Sequence, residues 1–271
     1  MIPWILALVL MQTPASERIN IGDDATLYIP AGTKFADDRI PILLHLHGAP
    51  SVVEPAVVAA GWPGVLIEFN RKGLSSVYAK PFADPSLFPR LLVNASAAVK
   101  AKGLVADPKL GTIALSTFSA GFGGAREILK NPASFDRVDV VILADSLYCG
   151  YVGDVADHEV DPSLMKGFTR FARLAAQGKK TMVVTHSSQV PEGYASTTET
   201  ATDLIKSLGG ISVEFADASP NLGDGSALVR SWSKGRFRVF GYSGVGPEDH
   251  LRHLRNIRAI WKYTIDVMPK N

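Results

Sequence analysis

Ala114-Leu115-Ser116-Thr117-Phe118-Ser119-Ala120-Gly121-Phe122-Gly123-Gly124 is the stretch that decides the fold. An apolar, β-prone run enters it from Thr112, and a helix-prone run, Ala125 to Lys130, leaves it. Between them stands Ser119, with Gly121 two positions on and more glycine beyond. A serine on a tight strand-to-helix turn is lifted out of the sheet on strained backbone, so its neighbours have to be small. The helix that follows points the N–H groups of its first turn at whatever the serine attacks, which favours a developing oxyanion. Ser116, the other serine in the run, has Phe118 at its +2 position and fits such a turn poorly.

Strands and helices alternate outward from this turn. Arg18 to Ile21 and Ala25 to Ile29 flank Gly22-Asp23-Asp24 and read as a β-hairpin. Ile40 to Leu46 is a buried strand that ends abruptly at His47-Gly48, and Gly64 to Asn70 is the next. The segment after Arg71-Lys72-Gly73, with Tyr78 and several prolines, reads as a loop at a strand's carboxyl end. A helix over Leu87 to Lys102 stops at Gly103, and the elbow strand runs from Leu110 to Phe118. Val138 to Asp145 is a further buried strand ending in an acid. An acidic loop follows, then a helix from Pro162 to Gln177 and a strand from Thr181 to His186. Ser196-Thr197-Thr198-Glu199 is a capping box opening a helix to Leu208. Ile211 to Phe215 and Arg236 to Tyr242 are strand candidates joined by polar, Gly-rich residues. The Gly244 to His250 loop leads into an amphipathic helix ending near Met268. Strands alternating with helices predict a mostly parallel sheet with helices on both faces.

The serine turn resembles the nucleophile elbow of the α/β-hydrolase family, G-x-S-x-G, with Thr117 where the first glycine belongs. The resemblance implies an α/β-hydrolase fold with an N-terminal β-hairpin and at most a small lid before Lys180. It implies serine esterase or lipase-like activity. The His47-Gly48 pair stands where the family opens the loop that gives a second oxyanion donor. By resemblance the donors are the Ala120 and Ala49 N–H groups, since Pro50 has no N–H to offer.

A serine hydroxyl is a poor nucleophile until a base takes its proton, and the base needs an acid to fix its tautomer. His250, late in the chain and just before the C-terminal helix, is where the family's histidine belongs; His186 is the alternative base. Most of the family keep the acid after the strand assigned to Thr181 to His186, where only Glu192 qualifies. A minority keep it after the preceding strand, where Asp145 stands, and the order Ser119, Asp145, His250 is preserved. Asp145 is favoured and Glu192 is the alternative. His47, Tyr148, His186 and Tyr194 are possible substrate-lining residues; for each, ordinary packing is the competing reading. His45 and His47 lie at i, i+2 with no carboxylate cluster nearby, so no metal and no cofactor are expected.

At 271 residues and 46% hydrophobic, the chain can bury a large core, and one domain over 16–271 is expected. A formal charge of +2 with no basic block excludes nucleic acid as the main partner. One cysteine, Cys149, excludes an intrachain disulfide. Ile2 to Met11 is apolar and too short to span a bilayer, and small residues spaced for a signal peptidase follow. The expectation is a signal peptide over 1–15 and an extracytoplasmic protein, periplasmic or secreted. A retained leader, packed as a buried strand, would leave it cytoplasmic. Three functions follow from these residues: hydrolysis of a small-molecule or carbohydrate-linked ester, peptidase or amidase activity of the same fold, and a catalytically silent binding protein.

Overall fold

The computed structural model describes residues 15–210, 218–223 and 225–269. All of the expected leader except Ala15, and the strand expected over Ile211 to Phe215, lie outside the described residues. The described strands are β1 (Glu17–Asn20), β2 (Ala25–Ile29), β3 (Arg39–Leu46), β4 (Val65–Phe69), β5 (Lys109–Phe118), β6 (Val140–Ala144), β7 (Thr181–His186), β8 (Leu228–Lys234) and β9 (Phe237–Tyr242). They form one sheet in the order β1-β2-β4-β3-β5-β6-β7-β9-β8. Neighbours from β4 through to β9 pair in parallel, whereas β1 and β2 at one edge and β8 at the other pair antiparallel. This is the α/β-hydrolase arrangement that the serine turn implied.

The strand side chains alternate between two cores, as the period of two requires. In β6, Val141 and Leu143 enter one core while Val140, Ile142 and Ala144 enter the other. The first core is closed by α2 (Ser76–Phe82), α3 (Leu87–Ala101), α4 (Phe122–Lys130), α5 (Pro132–Arg137), α6 (Pro162–Ala176) and α7 (Thr197–Ser207). The second is closed by α1 (Pro50–Ala60), α8 (Pro247–Arg255) and α9 (Ile257–Val267). Helices on both faces are what a parallel sheet needs to bury its strands.

Four segments differ from the sequence reading. Residues after Gly73, read as loop, fold into α2, with Tyr78 and Phe82 buried and Pro81 inside the last turn. The polar, Gly-rich joint before β9 contains β8, an edge strand that exposes Val229, Ser233 and Lys234; Trp232, read as a loop residue, is buried there against Phe237. The C-terminal helix is two helices broken at Asn256. His250 stands inside α8 rather than in the loop before it. The capping box at Ser196 is formed in full, with Glu199 bonding back to the Ser196 N–H.

Glu68 of β4 is 4% exposed and has Glu54 of α1 as its neighbour, with Arg18 Nη2 at 3.5 Å. Burial and the Glu54 charge push its carboxyl up to about 7 from an ordinary 4.5, against the pull of Arg18. Between those two values the folded protein holds a proton that the unfolded chain has released, so stability falls as pH rises through this window. Glu68→Gln is therefore expected to raise the melting temperature at pH 8 and to do little at pH 4.5. Equal gains at both pH values in thermal unfolding would contradict this account.

Candidate active site

Three residues at the carboxyl ends of adjacent strands have positive φ without being glycine. They are His47 after β3 (φ 71°), Ser119 after β5 (φ 46°) and Asp145 after β6 (φ 43°). Such backbone costs on the order of 1–3 kcal/mol per residue and persists where packing over-determines it. All three stand at the crevice above the strand ends, where α/β sheets bind ligands.

The crowding that forces this turn is taken up by glycines. A Cβ on Gly121 would run into the Leu46 carbonyl, and one on Gly123 into the Ser75 carbonyl; on Gly124 it would come within 2.7 Å of Leu46 Cδ1. With helix and loop pressed this close after the serine, a single 3₁₀ turn, Ser119–Gly121, leads into α4. Thr117 instead points into the core opposite Leu46 and Leu143, fully buried. Its Oγ1 has no hydrogen-bond partner among the described residues. Ser116 lies on the other face, also buried, where its Oγ accepts from Trp261 Nε1 at 2.9 Å and meets His45 Nδ1 at 3.0 Å. It is a packing residue shut off from solvent.

His250 Nδ1 lies 2.8 Å from Asp145 Oδ2, across 105 residues of sequence. The other carboxylate oxygen accepts from Ser187 N at 3.1 Å and from Thr197 Oγ1 at 2.5 Å. Asp145 is fully buried. Burial alone would raise its carboxyl. The positive charge available at His253 and the hydrogen bonds from His250 and Thr197 outweigh that and hold it well below the usual carboxylate range. The His250 ring stacks on Phe118 at 4.6 Å between centroids, which fixes the ring plane. His253, one helical turn on, is buried with Nδ1 2.8 Å from Thr185 Oγ1, and burial lowers it to about 4.

Ser119 and His250 line one cavity of about 440 Å³. The rest of its wall includes Ala120, Phe122 and Arg126 from the elbow and α4, Leu74 and Ser75 from the β4 side, and Tyr148, Gln189 and Tyr194. No hydrogen bond joins the Ser119 hydroxyl to His250 among the described residues; serine–histidine bonds are often long before substrate binds. Ala120 belongs to the first turn of a helix, whose N–H groups have no carbonyl behind them. Ala49 caps α1 and makes no backbone hydrogen bond through its N–H among the described residues.

The remaining candidates separate clearly. Tyr148 and Tyr194 line the cavity, edge to face at 5.7 Å, and Tyr148 also meets the His250 ring. His47 stacks under Phe118 and is pinned through Nδ1 to Tyr78 Oη at 2.7 Å, next to the cavity rather than in its wall. His186 does not line the cavity: it is buried, Nδ1 meets Ser187 O and Thr198 Oγ1, and Nε2 accepts from Arg230 Nε at 2.8 Å. Burial and the Arg230 charge push it down to about 3. With both ring nitrogens engaged away from the cavity, the expectation of His186 as lining residue or base gives way to its packing reading. Glu192 is exposed, and among the described residues the carboxylate bonded to His250 is that of Asp145. Phe118, beside the serine, and Thr197, in the capping box, stand in stretches the sequence marks but without a role at the site; Ser187 and Arg126 carry no signal there.

No family model matches the chain, and no curated protein matches it. Among solved structures, an uncharacterised protein from Capnocytophaga ochracea aligns at TM-score 0.49 and 11% identity, over 94% of this chain and 64% of that one. The S-formylglutathione hydrolase of Staphylococcus aureus aligns at TM-score 0.47 and 11% identity, over 94% and 98%. A carboxylesterase of Bacillus subtilis aligns at 0.45 and 9%, over 93% and 90%. Identities of this order carry no residue's role from those proteins to this chain.

Proposed function

We propose that this protein is a serine hydrolase that cleaves carboxylic esters through an acyl-enzyme. The observation that carries the reading is the buried Asp145 bonded to His250 beside a cavity lined by Ser119, itself on a strained strand-to-helix turn. Asp145 keeps the His250 proton on Nδ1, leaving Nε2 as the acceptor. As Ser119 Oγ bonds to the ester carbonyl carbon, its proton passes to Nε2 and the carbonyl oxygen takes the negative charge. The Ala120 N–H, with that of Ala49, stabilises this oxyanion. The tetrahedral intermediate collapses by breaking the bond to the alcohol oxygen, which receives the proton from His250. Water then attacks the acyl-enzyme by the same route, releasing the acid and restoring Ser119.

Esters are favoured over amides because an alkoxide leaves with less help than an amine. A fluorophosphonate probe tests the reading. Covalent labelling, detected by mass on the intact protein, is expected in the natural chain and absent in Ser119→Ala. An unlabelled natural chain would favour a binding protein on this fold.

A further inference from the structure

The cavity wall holds one cation that the chemistry at Ser119 does not use. Arg126 follows Phe122 by four residues on α4, so both side chains share the helix face that lines the cavity. Helical side chains lean toward the N-terminus of their helix, here toward Ser119. Seven residues of helix set the two backbones roughly 10 Å apart, and the long arginine side chain closes much of that gap.

The guanidinium is poorly matched by its own protein. Its side chain is 19% exposed and its Nε is buried with no hydrogen-bond partner among the described residues. The nearest carboxylate oxygen, Glu127 Oε1, lies 3.7 Å away and is already held by Lys130 Nζ at 2.7 Å. Asp161, the other acid whose field reaches this corner, is turned into the α6 N-terminus, where it accepts from Ser163 N at 2.8 Å. The Phe122 ring, 5.5 Å from the guanidinium carbon, supports the side chain along the wall. The buried Nε leaves the exposed end of the planar fork to the cavity, where it matches a carboxylate more closely than any neutral group.

We propose that Arg126 makes this site selective for esters that carry a carboxylate a few bonds from the scissile carbonyl. The inference rests on the ester-hydrolase reading above and adds the charge of the substrate to it. The carboxylate can belong to the acyl part or to the alcohol part; the chemistry at Arg126 is the same for both.

Two matched ester pairs separate these sources. For the acyl side, 4-nitrophenyl hydrogen glutarate is compared with 4-nitrophenyl pentanoate; for the alcohol side, 4-carboxyphenyl pentanoate with phenyl pentanoate. In the natural chain kcat/KM is expected to be higher for the charged member of one pair. In Arg126→Gln the charged-to-neutral ratio for that pair is expected to fall by about ten- to a hundredfold, mostly through KM, with Arg126→Lys recovering part of it. Ratios for both pairs that stay within about twofold in Arg126→Gln overturn the proposal. If no ester turns over, the hydrolase reading falls, and calorimetry with free glutarate decides the anion site alone. Binding to the natural chain that is lost in Arg126→Gln supports it, and no binding to the natural chain overturns it.

Discussion

Asp145→Asn is expected to lower kcat for a 4-nitrophenyl ester by about four orders of magnitude, while Glu192→Gln stays within about twofold of the natural chain. The reason lies in which atom of the new amide can face which neighbour. Ser187 N donates to Asp145 Oδ1 and cannot do otherwise, and Thr197 Oγ1 donates to the same atom. In asparagine the carbonyl oxygen has to stay on that side. The amide NH₂ is then turned toward His250 Nδ1, where Asp145 Oδ2 accepts at 2.8 Å. Two donors would face each other, so His250 moves its proton to Nε2 and can no longer accept one from Ser119. The retained bonds to Ser187 and Thr197 let the variant fold, so a loss of activity reports on the tautomer. Steady-state kinetics and thermal unfolding on the same samples check both points. A full loss in Glu192→Gln with activity kept in Asp145→Asn would reverse the assignment.

Gly121→Ala is expected to destabilise the fold by about 3 kcal/mol, near the upper end for overpacking a core. For a chain of this size that is roughly a 10 °C drop in melting temperature. Backbone preference argues the other way. Gly121 has φ −58° and ψ −23°, where alanine is favoured over glycine by about 1 kcal/mol. Sterics win because the new Cβ meets the Leu46 carbonyl, with the Leu46 Cβ at 3.0 Å. That carbonyl belongs to β3, pinned between β4 and β5. Gly150→Ala serves as the contrast: its Cβ would meet nothing closer than Leu164 Cδ1 at 3.6 Å, and its effect should stay within about 0.5 kcal/mol. A melting temperature for Gly121→Ala equal to or above that of the natural chain would show that β3 yields.

What the sequence made legible follows the strength of its local signals. The buried strands β3, β4, β5, β6, β7 and β9 could be read because interior parallel strands are continuous apolar runs. β8 could not: Leu228 to Lys234 is an edge strand with arginine, serine and lysine in it, and only Trp232 marks its inward face. The prolines around Tyr78 hid α2, since proline is read as a helix breaker even where it falls in a last turn. Ser119 was readable from five residues because the turn's demands are local. The choice between Asp145 and Glu192 was not, because it depends on which strand end lies under α8. Thr197 appeared only as part of a capping box, and that it also holds Asp145 depends on α7 packing beside β7, the neighbour of β6. Arg126 gave no signal because the direction a helix face takes is decided by the sheet beneath it.

The order of the sheet divides the proposed chemistry into a fixed half and an adjustable half. Ser119 and Asp145 hang from β5 and β6, neighbours joined by a ladder from Ala114–Val140 to Phe118–Ala144 and flanked by further strands on both sides. Their separation is a lattice spacing of the interior, and it persists for as long as the domain is folded. His250 comes in on a short helix bounded by Gly246 and Asn256, which lies outside that lattice and is tied to it by side chains: the hydrogen bonds of His250 to Asp145 and of His253 to Thr185, and the stack of His250 on Phe118. Improvements or losses in alignment are therefore expected to accumulate along α8 and its two joints, while the strands that carry the serine and the acid stay under the tighter constraint of the core.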